Sequence, residues 1–587
     1  MKGNKKAPKQ VVKSVPGKPG EAKPYFKWLL PVLLLITTLI YYPSLNNQLL
    51  SWDDNVNITN NPAIKTLHGD SIGYTLNKIF ISPEIVMYVP ITNLTYCLEY
   101  ETSNLDPRPY HRTNLILHLL NIALVFWFIR LLASQQWVAL ITAALFALHP
   151  MHVESVSWVA GRVDVLYSFF YLSALCTYLL YLKDGKWKWA LYVLTYVLFL
   201  FSVGSKVMAV SLPVVFFAVD YYTGRKWSLK IIWEKAAFIL TAIVFGLIAI
   251  KLQKHDANTN SLDYHFGERL MATFYAIYTY LWKLLLPINL SCYYDFPVKQ
   301  DGMYPIGFYL APLVIALLAY GIYRSIRFTK DVLFGLVFFL IGIALILPVL
   351  PVRGTQLAER YSYMSYIGLF FIIARGINYL WQNKSAKFQS LKLPVTGALL
   401  LFVLICSYLS YERTKVWHDD IALWENAATT STTSATIFRK RGEAYFSLRQ
   451  IDKAIVDFTR SIELKPEVPD GYYNRGISYI QIAKYPDAIK DFDKLQQLYP
   501  NFMETYYNRG LAHHMQNQFD DAIKDYTLAI NALPTNAKAY NNRGIVYYNL
   551  RKFDQALDDE LTAKKLGHPV EDRTIETLRA LVKKPSN

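Results

Sequence analysis

Four cysteines in 587 residues are too few for a disulfide framework. Cys176 and Cys406 fall in apolar segments, and a bridge between Cys97 and Cys292, both in loops, has no support in the sequence. Charge is sparse as well, with 18% charged residues against 53% hydrophobic ones. Acids are nearly missing from residues 1–27, where eight lysines face a single Glu21. That leader lacks a cleavable signal-peptide pattern before Trp28 and is broken by Pro and Gly, so it reads as a disordered basic cytoplasmic tail. A formal charge of +17 would suit nucleic acid, but the lysines cluster beside apolar segments, as topology signals do. No nucleic-acid partner is expected. The duplicated halves and paired broken helices of a transporter are missing too.

What is present divides the chain in two. Apolar residues concentrate before about residue 411, in runs of about 18 or more, the length a bilayer demands of a helix that must satisfy its own backbone. The first part is therefore a multi-span helical domain over 28–411, in contact with membrane lipids. Spans are expected near 28–45, 112–133, 136–150, 164–182, 188–204, 207–222, 236–252, 306–323, 332–350, 361–380 and 393–411, eleven in all. Basic connectors at Lys183 to Lys188, Arg225 to Lys235, Arg324 to Lys330 and Lys384 to Lys392 belong to the cytoplasmic face with the tail. They agree with eleven spans if 268–287, which carries Lys283 and ends at Pro287, is interfacial or re-entrant and does not cross. The loops at 46–111, 149–162 and 253–305, and everything after Tyr411, are then on the outer face. The membrane is the plasma membrane of a bacterium, or the endoplasmic reticulum if the source is eukaryotic.

The second part announces itself by period. Arg-Gly recurs at Arg441-Gly442, Arg475-Gly476, Arg509-Gly510 and Arg543-Gly544, 34 residues apart. Ala454, Ala488, Ala522 and Ala556 keep that spacing, as do Pro466, Pro500 and Pro534, and Tyr445, Tyr479 and Tyr547 with His513 in the series. Small Ala permits close helix contact and Pro ends the second helix of each unit. The series resembles tetratricopeptide repeats, four of them over 435–570. A half repeat precedes them at 412–434, where Ile421 and Trp424 stand 34 before Ile455 and Phe458 and Thr432 replaces the proline. A capping helix follows at 571–587, marked by Ile575, Leu578 and Val582. Such an α-solenoid binds protein. Asn474, Asn508 and Asn542, each two residues before its glycine, line up on three first helices and either hold an extended acceptor backbone or stabilise the packing of the repeats.

The membrane part carries denser signals. Just past the first span stands Ser51-Trp52-Asp53-Asp54, and between two later spans runs His149 to Asp164, with His149, His152, Glu154, Arg162 and Asp164. Ionisable groups near a bilayer are expensive, and their default reading is functional. His149, His152 and Glu154 match no strong zinc spacing, and hydrogen bonding at helix ends is the plainer reading. These segments, with Ser205 to Pro213, Ala358 to Tyr363 and Trp417-His418-Asp419-Asp420 leading into Leu423-Trp424, resemble the transmembrane and tetratricopeptide repeat-containing O-mannosyltransferases over nearly the whole chain. The resemblance implies an all-α chain with a type C glycosyltransferase fold, taking a sugar from a polyprenyl or dolichyl phosphate and transferring it on the outer face.

The chemistry such a reaction needs is available. Attack of a Ser or Thr hydroxyl on an anomeric carbon requires a base and support for the departing phosphate. Asp53 or Asp54 fits the base, with Asp54 preferred, because adjacent acids resist double ionisation and one pKa rises. Arg360, Lys206 and Arg162 are the candidates for the phosphate, Arg360 first because a planar guanidinium grips phosphate at two points. His149, His152, Glu154 and Asp164 are supporting residues, and Asp164 is expected to pair with a neighbouring cation. No cofactor is required by these residues; a divalent ion at the acid pair is left open. The competing readings are a membrane-anchored repeat scaffold without catalysis, and a transferase acting on a glycolipid or polysaccharide.

Overall fold

The computed structural model describes residues 26–65, 72–80, 88–183, 185–253, 265–297, 299, 302–349 and 356–583. The expected basic tail lies outside them but for Phe26 and Lys27. Among the described residues the chain is helical, with one isolated antiparallel bridge between Tyr294 and Leu357 and no strand. Two compact units result, residues 1–423 and 424–587.

In the first unit each of the eleven apolar stretches carries helix, but they are unequal. By length and hydropathy, eight described helices can cross a membrane, among them Pro107–Ala133, Arg162–Tyr181, Lys188–Ser205 and Ala386–Val416. The 136–150 stretch is shorter than expected: Gln136–Leu148 is bent by 62° from Pro150–Ser157, which makes it a broken span or a re-entrant loop and raises the number to nine at most. Val207–Thr223 and Asp331–Ile346 are apolar but fall below spanning length. Eleven is therefore not the number of spans these criteria give, and its parity fixes no sidedness. The helix Phe266–Leu285 does not meet the criteria for crossing. Its Lys283 is buried and donates to the carbonyls of Ile288 at 3.2 Å and Asn289 at 3.0 Å.

Close approach of backbones holds this unit together where side chains are smallest. Helices Asp331–Ile343 and Ser362–Gln382 cross at Gly335 and Gly368, where a Cβ on either would collide with the other's carbonyl oxygen. Dispersion and backbone contact replace the hydrophobic effect as the cohesive force between helices in lipid. The crossing fixes the start of Ser362–Gln382, and with it Glu359-Arg360-Tyr361, which form a single turn of 3₁₀ helix just before it.

The second unit is four helix pairs: Ala435–Ser447 with Ile451–Leu464, Pro469–Gln481 with Tyr485–Leu498, Glu504–Met515 with Phe519–Ala532, and Ala537–Asn549 with Phe553–Lys565, followed by Asp572–Val582. The sequence period has a direct physical cause. A Cβ on Gly442, Gly476 or Gly510 would stand 2.7, 2.7 or 3.0 Å from the ring of Phe458, Phe492 or Tyr526 on the paired helix. The arginine beside each glycine grips an aspartate sixteen residues later at two points: Arg441 with Asp457, Arg475 with Asp491, Arg509 with Asp525 and Arg543 with Asp559, all at 2.7–2.8 Å.

Candidate active site

The site is built on the bend in the second apolar hairpin. Gln136–Leu148 ends at His149, Pro150 opens a 3₁₀ turn, and the short helix Val153–Ser157 leads into a tight turn before Arg162–Tyr181. Every residue from His149 to Arg162 is buried. The segment expected as an outer loop is thus folded into the helical unit. Gly161 permits the turn, since a Cβ there would stand 2.7 Å from the carbonyl oxygen of Ser155.

That turn presents the Ala160 N–H to Asp54. Asp54 is fully buried; its Oδ1 accepts from Ala160 N and its Oδ2 from Leu50 N, both at 2.8 Å. Burial pushes its carboxyl up to about 7; the two amide donors pull the other way, and the charges of Asp53 and Asp420 add a smaller push upward. Asp54 therefore braces the first loop against the buried turn, and the preference for it as the base does not survive this geometry. Asp53 is half-buried, and its charge acts on Arg360 together with those of Glu154 and Asp164. A divalent ion at the acid pair fits poorly, because Asp54 is turned onto backbone amides. Among the described residues no three His, Cys, Asp or Glu side chains cluster as a metal site.

Arg360 is held from behind. Glu154, fully buried, pairs with the Arg360 guanidinium through Oε1 and accepts its backbone N–H through Oε2 at 2.9 Å. The guanidinium lies over the rings of Trp158 at 5.4 Å and Tyr361 at 5.0 Å, and the side chain keeps 16% of its surface exposed. Trp158 stacks in turn on Trp52 at 5.5 Å and on Trp417 at 5.8 Å. Lys206 bonds Asp164 Oδ1 at 2.5 Å and sits over Tyr361 at 5.4 Å. The fold thus brings Asp53, Arg360, Glu154, Lys206 and Asp164 to one aromatic-walled cluster.

Other candidates stand elsewhere. Arg162 is wholly buried, with Nε on Asn114 at 2.5 Å, a terminal nitrogen on Thr95 at 3.1 Å, and the other on Tyr110 O at 2.8 Å and Glu99 at 2.9 Å. It is an internal brace and not a phosphate ligand. His149 accepts from Met151 N at 3.3 Å and bonds Leu284 O at 3.1 Å, while His152 bonds Phe146 O at 2.7 Å. Both hold the bend. In the repeats, Asn508 and Asn542 donate to Tyr473 and Tyr507 of the preceding unit, both at 3.1 Å, and Asn474 to Glu443 at 3.3 Å. These amides stitch neighbouring repeats.

Sequence reasoning passed over several members of the network. Glu359 receives Arg413 at 3.2 Å on both oxygens and Tyr294 OH at 2.8 Å. Asp420 accepts from Ser51 N at 2.9 Å, beside the acid pair. Both were in motifs quoted for the resemblance. Glu99 and Asn114 carried no comparable signal.

Tetratricopeptide-repeat family models match residues 439–501 and 504–536. Protein O-mannosyl-transferase F38B6.6 of Caenorhabditis elegans is 24% identical over 74% of this chain and 62% of its own length. Protein O-mannosyl-transferase TMTC3 of Mus musculus is 24% identical over 65% of this chain and 44% of its own. The chain is a relative of the transmembrane and tetratricopeptide repeat-containing O-mannosyltransferases. It spans about half the length of the curated relatives it matches, from 44% to 62% of the first few. Among solved structures, MamA overlaps 25% of this chain and 85% of its own at 21% identity, with a TM-score of 0.24.

Proposed function

We propose that this relative is an integral membrane glycosyltransferase that moves a sugar, mannose or another hexose, from a polyprenyl or dolichyl phosphate to a Ser or Thr hydroxyl of a protein recruited by the repeats. The observation that carries this reading is the half-buried Asp53 beside Arg360, a guanidinium gripped from behind by Glu154 and still partly open. Asp53 takes the hydroxyl proton as the oxygen attacks the anomeric carbon. The bond to the lipid phosphate breaks on the opposite side, and Arg360 with Lys206 meets the charge that develops on the phosphate oxygen. Trp52, half-buried and backed by Trp158, supplies a face against which a sugar ring packs.

The site belongs on the non-cytoplasmic side in this reading. It sits at the start of Arg162–Tyr181, whose other end meets the basic connector Lys183 to Lys188, and Lys206 follows the far end of Lys188–Ser205. Ala386–Val416 likewise begins within the basic Lys384 to Lys392 stretch and ends before the repeats, which supports the same compartment for them.

Transfer from a polyprenyl-phosphate sugar to a Ser/Thr peptide by the purified chain tests the mechanism. Asp53→Asn should lower turnover by ~10²–10⁴ without loss of folding, as removal of a positioned base does. Asp54→Asn should lower thermal stability along with activity. Full turnover in Asp53→Asn would remove Asp53 as the base, full turnover in both variants would remove the base from this loop, and no transfer by the parent chain would favour the scaffold reading.

A further inference from the structure

The fourth repeat departs from its own period. Phe458, Phe492 and Tyr526 lie against the glycines of the first three units, and the next position in the series is Glu560. Glu560 is 4% exposed, and its Oε2 is buried without a hydrogen-bond partner. The Glu560 side chain takes the place of the ring against Gly544, and beside it a cavity of about 310 Å³ opens. Gly544, Glu560 and Leu578 form its buried floor; Ile545, Tyr548 and Thr577 stand at its exposed mouth, with the opposite charges of Glu571 and Arg573 beside them. The neighbouring Asp559 is already held at two points by Arg543, so that arginine is committed elsewhere.

The lining asks for two things at once. Aliphatic and aromatic walls favour an apolar stem, and a buried carboxylate without a partner favours a cation at its tip. An apolar ligand would leave the Glu560 oxygen unsatisfied, and an anion would face two carboxylates, Glu560 and Glu571, against the single cation Arg573. A guanidinium would bring five donors to a floor with one carboxylate, whereas an ammonium on a flexible four-carbon stem matches both requirements. Burial, with a smaller push from Asp559, raises the Glu560 carboxyl to about 7, as expected of an acid whose compensating charge has yet to arrive.

We propose that this cavity is a binding site for the lysine side chain of a docked polypeptide, the stem against Ile545, Tyr548 and Leu578 and the ammonium on Glu560. The site is independent of sugar transfer and stands or falls without it. Titration calorimetry of the full chain in detergent tests it with acetyl-Gly-Lys-Gly-amide against the same peptide carrying norleucine, which keeps the stem and removes the charge. The lysine peptide should bind at least ~10-fold tighter, a difference of about 1.4 kcal/mol. Glu560→Gln, which preserves shape, should abolish that preference. Glu560→Phe, which restores the ring of the other repeats, should abolish binding of both peptides and raise the melting temperature. Equal binding of the two peptides, a preference retained in Glu560→Gln, or no binding of either at millimolar concentration would overturn the proposal.

Discussion

In the repeat unit one charged contact is written four times, whereas in the helical membrane unit each buried charged contact is written once. Arg441, Arg475, Arg509 and Arg543 all reach an aspartate sixteen residues on, between the two helices of one hairpin. Glu154 and Arg360 are 206 residues apart, Lys206 and Asp164 are 42, and Arg413 and Glu359 are 54. Local, repeated pairs make stability a sum of similar terms, each dispensable by itself. Pairs that occur once and join distant segments tie several helices to one point, and that point is where Asp53, Arg360 and the aromatic faces meet.

The sharpest way to break this comparison is to remove one member of each kind. Glu154→Ala leaves the Arg360 guanidinium without its partner among packed helices. The expected loss is ~3–5 kcal/mol, as for other broken buried pairs, nearer the lower end because Arg360 keeps some exposure. Thermal unfolding in detergent reads it. Arg475→Ala removes one of four equivalent pairs and should cost about 1–3 kcal/mol, the penalty of leaving the Asp491 acceptors unmet. Hydrogen exchange across Tyr485–Leu498 in the full chain reads that loss. Arg441→Ala and Arg509→Ala should each give a similar value in their own repeat. A repeat substitution that collapsed the whole array, or a Glu154 variant no weaker than Arg475→Ala, would erase the distinction.

The same contrast explains what could be read in advance. Gly442, Ala454 and Pro466 recur at a fixed interval because every unit solves one packing problem in one way, so the repeats were legible without coordinates. Their aspartate partners recur as well, yet a surface Asp on a helix is too common to stand out. In the membrane unit, apolar windows revealed most helices because lipid enforces length. The break at His149-Pro150 was read as the exit of a span into an outer loop, since nothing in local composition says that the run beyond it folds back among the helices. Asp54 and Ala160 meet across 106 residues, a contact set by tertiary packing that no local pattern encodes. For that reason the acid pair was found in the sequence but its division of labour was not.

A smaller effect sharpens the repeat side. Asn508→Ala and Asn542→Ala each remove a neutral hydrogen bond to a tyrosine of the preceding unit, worth ~0.5–1.5 kcal/mol. If these amides only join repeats, the double variant should speed hydrogen exchange at both junctions and leave acceptor-protein affinity within a factor of about two, since the groove itself is intact. If affinity falls while exchange is unchanged, the amides turn toward a ligand on binding, and the tyrosine bonds are a resting arrangement.

The remaining expected effect is a change of slope with pH, and it tests whether the repeats differ only where their period fails. Glu560 has its folded carboxyl near 7 against an ordinary 4.5. Between those values the folded fourth repeat keeps a proton that the unfolded chain has released. Stability therefore falls as pH rises through this window: the contribution is full below about 4.5 and gone above about 7. Glu560→Gln carries no titrating group and should flatten the profile, most visibly in amide exchange across Phe553–Lys565, with parent and variant compared at each pH so that intrinsic exchange rates cancel. Asp491 is shifted the same way by burial, but it is common to both proteins and drops out of the difference. An unchanged slope in Glu560→Gln would mean that the carboxylate is compensated in solution. The fourth repeat would then be electrostatically like the other three, and the lysine site would lose the uncompensated charge on which it depends.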